Sequence, residues 1–508
     1  MKVGTIENAA MLGVQGVFFV NGTWEECVCN LIKSSGSLSG LNYYQANASC
    51  QLFSNYSSSF SIVNSSNTTF AFFNLPSISL LTLPVTEPAT TVSTTAGNIQ
   101  RAFWSFDNNT LEMYDSCLDG TVNGTATYTT SFTGYGAAIS FNQSSYQYVS
   151  IASGVLPLNC RSFTIEAWIY PISLLTSSDY GIIGQCQALT NFECFHFIIR
   201  GNKLYCGFFG SDVAGGTSVK MNEWCHVACV YDFATQAQQV WLNGYVDGSH
   251  ICSPYNGSQG QTTIGASFHS STHAIFNGYI DNVRYEARAK NSTEILNDAS
   301  LSVYHSFDGG SLNDSGPNDI NGTVSGSLPI TSGRVNQALQ FASGSYMYYQ
   351  YPPFYFIGID GYPFTKALWV KPNGTNTTQT LVFLKTTSGW CVHTLVMTSN
   401  RQLAANFWTG SSISTNGSII SLNTWTHIGY TYSTSNGIRL YINGVQYSTT
   451  GPFMSNTHSM PMSIILGGDA GHTVCSPGYG GAFTGAIDEF YVYRRELNAT
   501  EIWALANP

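Results

Sequence analysis

Charge is what this chain most lacks. Lys, Arg, Asp and Glu make up 9% of its 508 residues, against ~25% in ordinary soluble domains. Something other than ionised side chains must therefore keep it in solution. No basic run occurs and the formal net charge is −10, which argues against nucleic acid or an anionic membrane surface as a partner. No apolar run reaches ~18 residues, so nothing is expected to span a bilayer. Residues 9–20 have the composition of a signal core, but Gln15 interrupts them and no small-residue cleavage site follows. They read instead as a strand over 14–20, and the chain is expected to be a mature or truncated form of a secreted protein. Paired Cys-x-x-Cys spacings are missing, which excludes a structural zinc knot. There is no Gly-x-Ser-x-Gly elbow and no phosphate-binding glycine loop after a strand.

Acceptors for N-linked glycans are abundant. Asn-x-Ser/Thr occurs at Asn21, Asn47, Asn55, Asn64, Asn67, Asn108, Asn123, Asn142, Asn256, Asn291, Asn313, Asn321, Asn373, Asn376, Asn416 and Asn498. A glycan coat is expected to do the solvation that charge does elsewhere, because a Tyr- and Phe-rich β surface without it would aggregate. The 13 cysteines fit an oxidising, extracellular compartment. An odd total leaves one thiol free or paired between chains.

The chain is built around a repeat. Trp224-Cys-His226 opens a β-prone run over 224–231, a polar tip follows, and Gln239-Val-Trp-Leu242 leads into Asn243-Gly244, a hairpin turn signal. Trp425-Thr-His427 and Asn443-Gly444 restate the device some 200 residues later. Phe163-Thr-Ile-Glu-Ala-Trp168 likewise answers Phe364-Thr-Lys-Ala-Leu-Trp369. Phe276-Asn-Gly-Tyr-Ile-Asp281 answers Phe483-Thr-Gly-Ala-Ile-Asp488. Each copy closes on a capping-type helix start, at Asn291 and at Asn498. Short strands with turn signals between them and hardly any helix give an all-β chain: two antiparallel jelly-roll β-sandwiches in tandem, over 99–298 and 299–508. Residues 76–98 are a Thr/Ser/Pro linker, too polar to form a core and of a composition often O-glycosylated. Residues 1–75 form a small α+β unit.

Two resemblances follow. The order Phe-Asp…Asp-Ser, Phe-Thr-x-x-x-Trp, Trp-x-His, Asn-Gly and Gly-x-Ile-Asp, found twice, is similar to the laminin-G-like domains of the concanavalin A-like lectin/glucanase superfamily. That implies two curved sheets and, frequently, a calcium ion at a sheet edge; the fold alone implies no single function. At the N-terminus, Trp24-Glu-Glu-Cys27-Val-Cys29, Leu41-Asn-Tyr-Tyr44 and Cys50-Gln-Leu-Phe53 resemble the apple (PAN) module. That resemblance implies a core bridge from Cys27 or Cys29 to Cys50.

Glucanase chemistry needs two carboxylates flanking a sugar bond, and no Glu-x-Asp-x-x-Glu is present. Glu166 has Lys366 or Ala367 as its counterpart, so no pair is maintained between copies, and His226 and His427 read as satisfied core histidines. No catalytic residue is assigned. Calcium is expected on Asp107, Asp115 and Asp281 of the first copy and Asp308, Asp314 and Asp488 of the second, since it takes six to eight hard oxygens. The competing reading makes these aspartates turn formers and strand caps. Cys391 and Cys475, alone in the second copy, are expected to pair. Cys225 and Cys229 face one side of a strand, too far apart to bond each other, so each needs a partner on a neighbouring strand, with Cys194 and Cys206 as candidates.

The expected protein is thus a non-catalytic, secreted, glycosylated adhesion or matrix protein. Charge-poor edges and the odd cysteine make it plausibly a self-assembling subunit of an extracellular filament. The alternative is a monomeric lectin-like module for a glycan or protein ligand, with a glycoside hydrolase third.

Overall fold

The computed structural model describes residues 3–21, 27, 31, 40–73, 99–114, 118–134, 136–151, 156–270, 273–349, 353–374, 377–457, 460–471, 475 and 479–508. The linker over 76–98, Cys29, Asp115 and Asn376 lie outside them. Two compact units emerge, one of Met1–Thr129 and Ala138–Ser292, the other of Thr130–Ala137 and Thr293–Pro508.

In the first unit, Val3–Asn21 runs antiparallel along Ser49–Phe73, with Gly40–Tyr44 parallel to the latter. Cys27 is bonded to Cys50. The sandwich proper stacks a seven-stranded sheet on an eight-stranded one. The repeated hairpin is Cys225–Asp232 and Ala237–Leu242. Its first strand lies antiparallel to Phe163–Pro171, which in turn pairs with Gly278–Glu286. Period-2 alternation sends Phe163, Ile165, Ala167 and Ile169 into the core. There Phe163 meets Phe195, Phe208 and Tyr231; each such ring contributes on the order of 1.5–3 kcal/mol by burial.

The second unit repeats this plan. Phe364–Pro372 pairs with Thr426–Ser433 and Gly485–Tyr493, and Phe364 packs on Phe407, Tyr430 and Tyr432. Trp168 faces His226 and Trp369 faces His427 at the same ladder position, and all four are buried. Trp224 and Trp425 stand just before their strands and are half-buried. The closing helices are Ser292–Ser300 and Ala499–Leu505, the latter with a full capping box between Asn498 and Glu501.

Covalent links differ between copies. Cys206–Cys229 joins the two sheets of the first sandwich, and Cys186–Cys194 joins neighbouring strands of its seven-stranded sheet. Cys391–Cys475 is the bridge of the second. The expectation of a partner for Cys225 is corrected: its thiol is free and buried, pushed up to about 12 by that burial. It packs as a small apolar residue, with Sγ 3.8 Å from the Ile169 carbonyl. Cys160 and Cys252 are also free.

Candidate functional site

Three of the aspartates expected to hold calcium, Asp308, Asp314 and Asp488, accept hydrogen bonds, and Asp115 lies outside the described residues. Asp314 accepts the backbone N–H groups of Tyr304, Gly316, Asn318 and Ile320 at 2.7–3.3 Å. Asp488 accepts those of Arg334, Val335 and Glu489. Asp308 accepts Gln337 N and Asn336 Nδ2. Burial pushes both Asp314 and Asp488 up to about 6. Asp107 sits half-buried in the 105–110 turn, and Asp281 is buried opposite Trp168. Among the described residues no three His, Cys, Asp or Glu side chains are grouped to hold a metal. The capping reading fits Asp308, Asp314 and Asp488, whose oxygens accept from backbone N–H groups that must be satisfied anyway.

Glu166 is likewise structural. It is buried between Lys290 and His226, and ladder register makes Ala367 its counterpart and Lys366 that of Ile165.

A cluster that the sequence reading did not single out lies on the outer face of the first seven-stranded sheet. Along Cys194–Arg200, Phe195, Phe197 and Ile199 enter the core, so His196 and Arg200 point outward. Arg200 lies opposite Asp179, and Asp212 opposite Gly207, which itself pairs with His196. A side chain at Gly207 would collide with both His196 and Asp212. Gly181 and Gly184 leave room for the short pair Ala266–Ser267 and Ala274–Ile275, which brings His269 over the sheet.

Arg200 forks onto Asp179, Nε to Oδ1 at 2.9 Å and Nη2 to Oδ2 at 2.7 Å. Nε2 of His269 lies 3.0 Å from Asp179 Oδ2, and its Nδ1 lies 3.0 Å from Ser267 Oγ. An ionised carboxylate only accepts, so Nε2 carries the proton and Nδ1 accepts from Ser267. His196 Nε2 lies 3.2 Å from Asp212 Oδ2, the two imidazoles stack at 4.7 Å, and Arg200 lies over Tyr205 at 5.3 Å. The imidazoles form a buried floor, while Asp179, Asp212 and Arg200 stay 24%, 26% and 37% exposed.

Burial works to raise the Asp179 carboxyl, but hydrogen bonds from His269 and Arg200 more than reverse it, leaving it well below the usual carboxylate range. Asp212 is lowered in the same way, against burial, by His196 and Arg200. Burial lowers His269, so it stays neutral at pH 7. Neither carboxyl can then serve as the protonated acid of glycoside hydrolysis. The Ser267–His269–Asp179 chain has the members of a hydrolase relay, but Ser267 is fully buried and Asp179 is already clamped by Arg200. What the face offers a ligand is the remaining acceptor lone pairs of two ionised carboxylates, the guanidinium N–H groups of Arg200 not engaged with Asp179, and a tyrosine ring.

The second copy does not share it. Register places Thr378, Thr398, Ala404 and Ser414 where the first copy has Asp179, Arg200, Tyr205 and Asp212. Only the histidine remains, as His393, and Phe383 fills the place of Gly184. Asp179, Arg200 and Asp212 stand at the ends of three different strands, so no pattern within one strand announced the cluster.

Of the acceptor asparagines, Asn21, Asn47, Asn108, Asn142, Asn256, Asn291, Asn313, Asn373, Asn416 and Asn498 are exposed, and Asn123 and Asn321 are half-buried. Of Asn55, Asn64 and Asn67, all within Ser49–Phe73, only the backbone is described.

Residues 143–296 and 343–503 match the family model of the concanavalin A-like lectin/glucanases superfamily. No curated protein matches the chain. Among solved structures, domain 4 of AbnA, a GH43 extracellular arabinanase from Geobacillus stearothermophilus, in complex with arabinotriose, is 22% identical at a TM-score of 0.29, over 41% of this chain and 98% of that one. The binding domain of Paraclostridial Mosquitocidal Protein 1 is 20% identical at a TM-score of 0.33, over 41% and 52%. A structure of botulinum neurotoxin type C, whose cell entry is dependent upon interaction with two ganglioside molecules, is 16% identical at a TM-score of 0.33, over 41% and 51%. The chain thus spans about half the length of these two toxin structures. With scores this low, the family model is what identifies the chain.

Proposed function

The chain belongs to the concanavalin A-like lectin/glucanases superfamily, and from that premise we propose that it is a non-catalytic secreted glycoprotein whose first sandwich binds a carbohydrate. The supporting observation is the outer-face cluster of Asp179, Arg200 and Asp212, ionised and part-exposed beside Tyr205. Two carboxylates that only accept and a guanidinium that only donates match a row of sugar hydroxyls, each of which does both. A tyrosine ring gives the apolar face of a pyranose somewhere to pack. Both carboxylates being ionised speaks for binding over hydrolysis. The N-terminal sheet is read as an apple-like module, and 76–98 as an O-glycosylated linker.

The test is binding of the full chain to a panel of immobilised neutral and acidic oligosaccharides. Arg200→Met and Asp212→Asn should each weaken binding at least ten-fold while leaving the circular dichroism spectrum unchanged. Thr398→Ala, at the equivalent place in the second sandwich, should have no effect. Binding that survives both first-sandwich variants, or no binding at all, overturns the reading.

A second reading, self-assembly into an extracellular homopolymer, is favoured by one observation. The edge strand Val445–Thr449 leaves Val445 66% and Tyr447 56% exposed and has no lysine or proline to discourage pairing with a second copy. Light scattering of the purified chain separates the two readings.

A further inference from the structure

We propose that N-linked glycans on Asn123, Asn321 and Asn416 close the edges of the two seven-stranded sheets against pairing with foreign strands. The proposal rests on the glycoprotein reading above. The first such sheet ends in Thr121–Asn123 and Asp212–Ala214, the second in Thr323–Ser325 and Ser412–Ile419. An edge strand presents a row of unpaired N–H and C=O groups, and proteins usually blunt it with lysine or proline. None of these four strands contains Lys, Arg or Pro.

Three of the four carry an acceptor instead. Asn123 is the last residue of its strand, and Asn416 lies inside Ser412–Ile419 with its side chain exposed. Asn321 stands two residues before Thr323–Ser325, so the threonine of its acceptor triplet is the first residue of that strand. The fourth edge is closed by the fold. Beyond Asp212–Ala214, Gly216 N donates to Asp247 O at 2.9 Å and Thr217 N to Asp247 Oδ1 at 3.0 Å, tying this edge to the neighbouring edge strand Tyr245–Ile251. Among the described residues, the edges at Thr121–Asn123 and Thr323–Ser325 are tied only at their starts, by Gly120 N to Thr110 O and Gly322 N to Leu312 O, both at 2.8 Å. Acceptors Asn123 and Asn321 stand within three residues of those ties, with Asn416 inside the remaining edge strand. An incoming strand must approach to ~4.8 Å, and a branched oligosaccharide rooted on the edge strand occupies that space.

Attachment is compatible with the local contacts. Asn321 Nδ2 donates one hydrogen bond, to Asp319. Asn123 Nδ2 donates to Ser150 Oγ at 2.8 Å and more distantly to the Thr121 carbonyl at 3.2 Å. Each keeps its principal contact when one amide hydrogen is replaced.

The experiment uses the full chain from a secretory host. Thr125→Ala, Thr323→Val and Ser418→Ala remove the three acceptors while keeping the asparagines. Ser144→Ala and Ser258→Ala remove those at Asn142 and Asn256, which lie in loops. Peptide mass spectrometry reads occupancy and light scattering reads the assembly state. The edge triple variant should scatter as a species at least ten-fold heavier than the wild type at equal concentration, and the loop double variant should match the wild type. Occupied edge sites with no change in the triple variant overturn this proposal and leave the glycoprotein reading standing; so does equal aggregation of both variants. Unoccupied edge sites beside occupied loop sites also overturn this proposal alone. No occupancy anywhere overturns both.

Discussion

Replacing Lys366 with methionine should stabilise the second sandwich, and the gain should shrink as pH rises. Lys366 takes the core position that Ile165 holds in the first sandwich, and it is 1% exposed. Its Nζ meets one hydroxyl, Thr394 Oγ1 at 2.7 Å, and the ring faces of Tyr430 at 4.2 Å and Phe364 at 5.1 Å. Ring faces contribute ~1–2 kcal/mol each to a desolvated cation, less than the several kcal/mol that burying an ammonium costs. Burial therefore pushes the amine well below its ordinary range and the folded state carries it neutral. The unfolded chain, with an ordinary value near ~10.4, binds one proton more. Stability then rises with pH by ~1.4 kcal/mol per unit while the folded amine is neutral and the unfolded one charged. Between pH 7.5 and 9 the wild type should gain about 2 kcal/mol on Lys366→Met, from a deficit of about 2–4 kcal/mol at the lower pH. Hydrogen exchange of the full chain, read on peptides spanning Phe364–Pro372 and Thr426–Ser433 and corrected for intrinsic rates, measures this locally. A difference that stays constant between the two pH values would mean a lysine charged in both states, and would refute the argument.

Asp488 provides a test of opposite sign. Its folded value of about 6 is raised from an unfolded ~3.9, so its stabilisation is complete below ~4 and lost as pH climbs to 6. Relative to Asp488→Asn, the wild type should lose about 2 kcal/mol between pH 4 and 6.5; parallel urea curves would contradict this. His305 and His427, held down to about 4 by burial, act the other way, so the comparison with the variant isolates the carboxyl. Chelation with EDTA should leave the melting temperature within about 1 °C, because a saturating ion would have added ~3 kcal/mol or more by mass action. A drop of several degrees would restore a metal role for some of the aspartates.

The repeat was legible because strands write themselves with period 2 and turns with Asn-Gly. Trp168, His226 and Asn243 reappear as Trp369, His427 and Asn443 in equivalent places, with Asn243 and Asn443 Oδ1 accepting the N–H of His226 and His427. The role of the aspartates was not legible. An Asp in a Gly/Asn-rich turn has the same composition whether its oxygens face a cation or the backbone of residues 304–320. The Asp179–Arg200–Asp212 cluster was hidden for a different reason. Its members come from separate strands, with His269 brought over the sheet by a short pair of strands from elsewhere, and only ladder register brings them together. Cys225 shows the same limit: facing direction follows from alternation, but the presence of a thiol opposite does not.

The bridges also decide how the chain would behave under tension. Cys391 and Cys475 are 84 residues apart in sequence, a stretch that fully extended would span roughly 290 Å. While that bond is intact, pulling the second sandwich apart releases only the chain outside the loop. In the first sandwich, Cys206 and Cys229 hold back 23 residues, roughly 80 Å, and keep one sheet from sliding off the other. Stretched in an oxidising medium, the two copies of one fold would yield as springs of different reach.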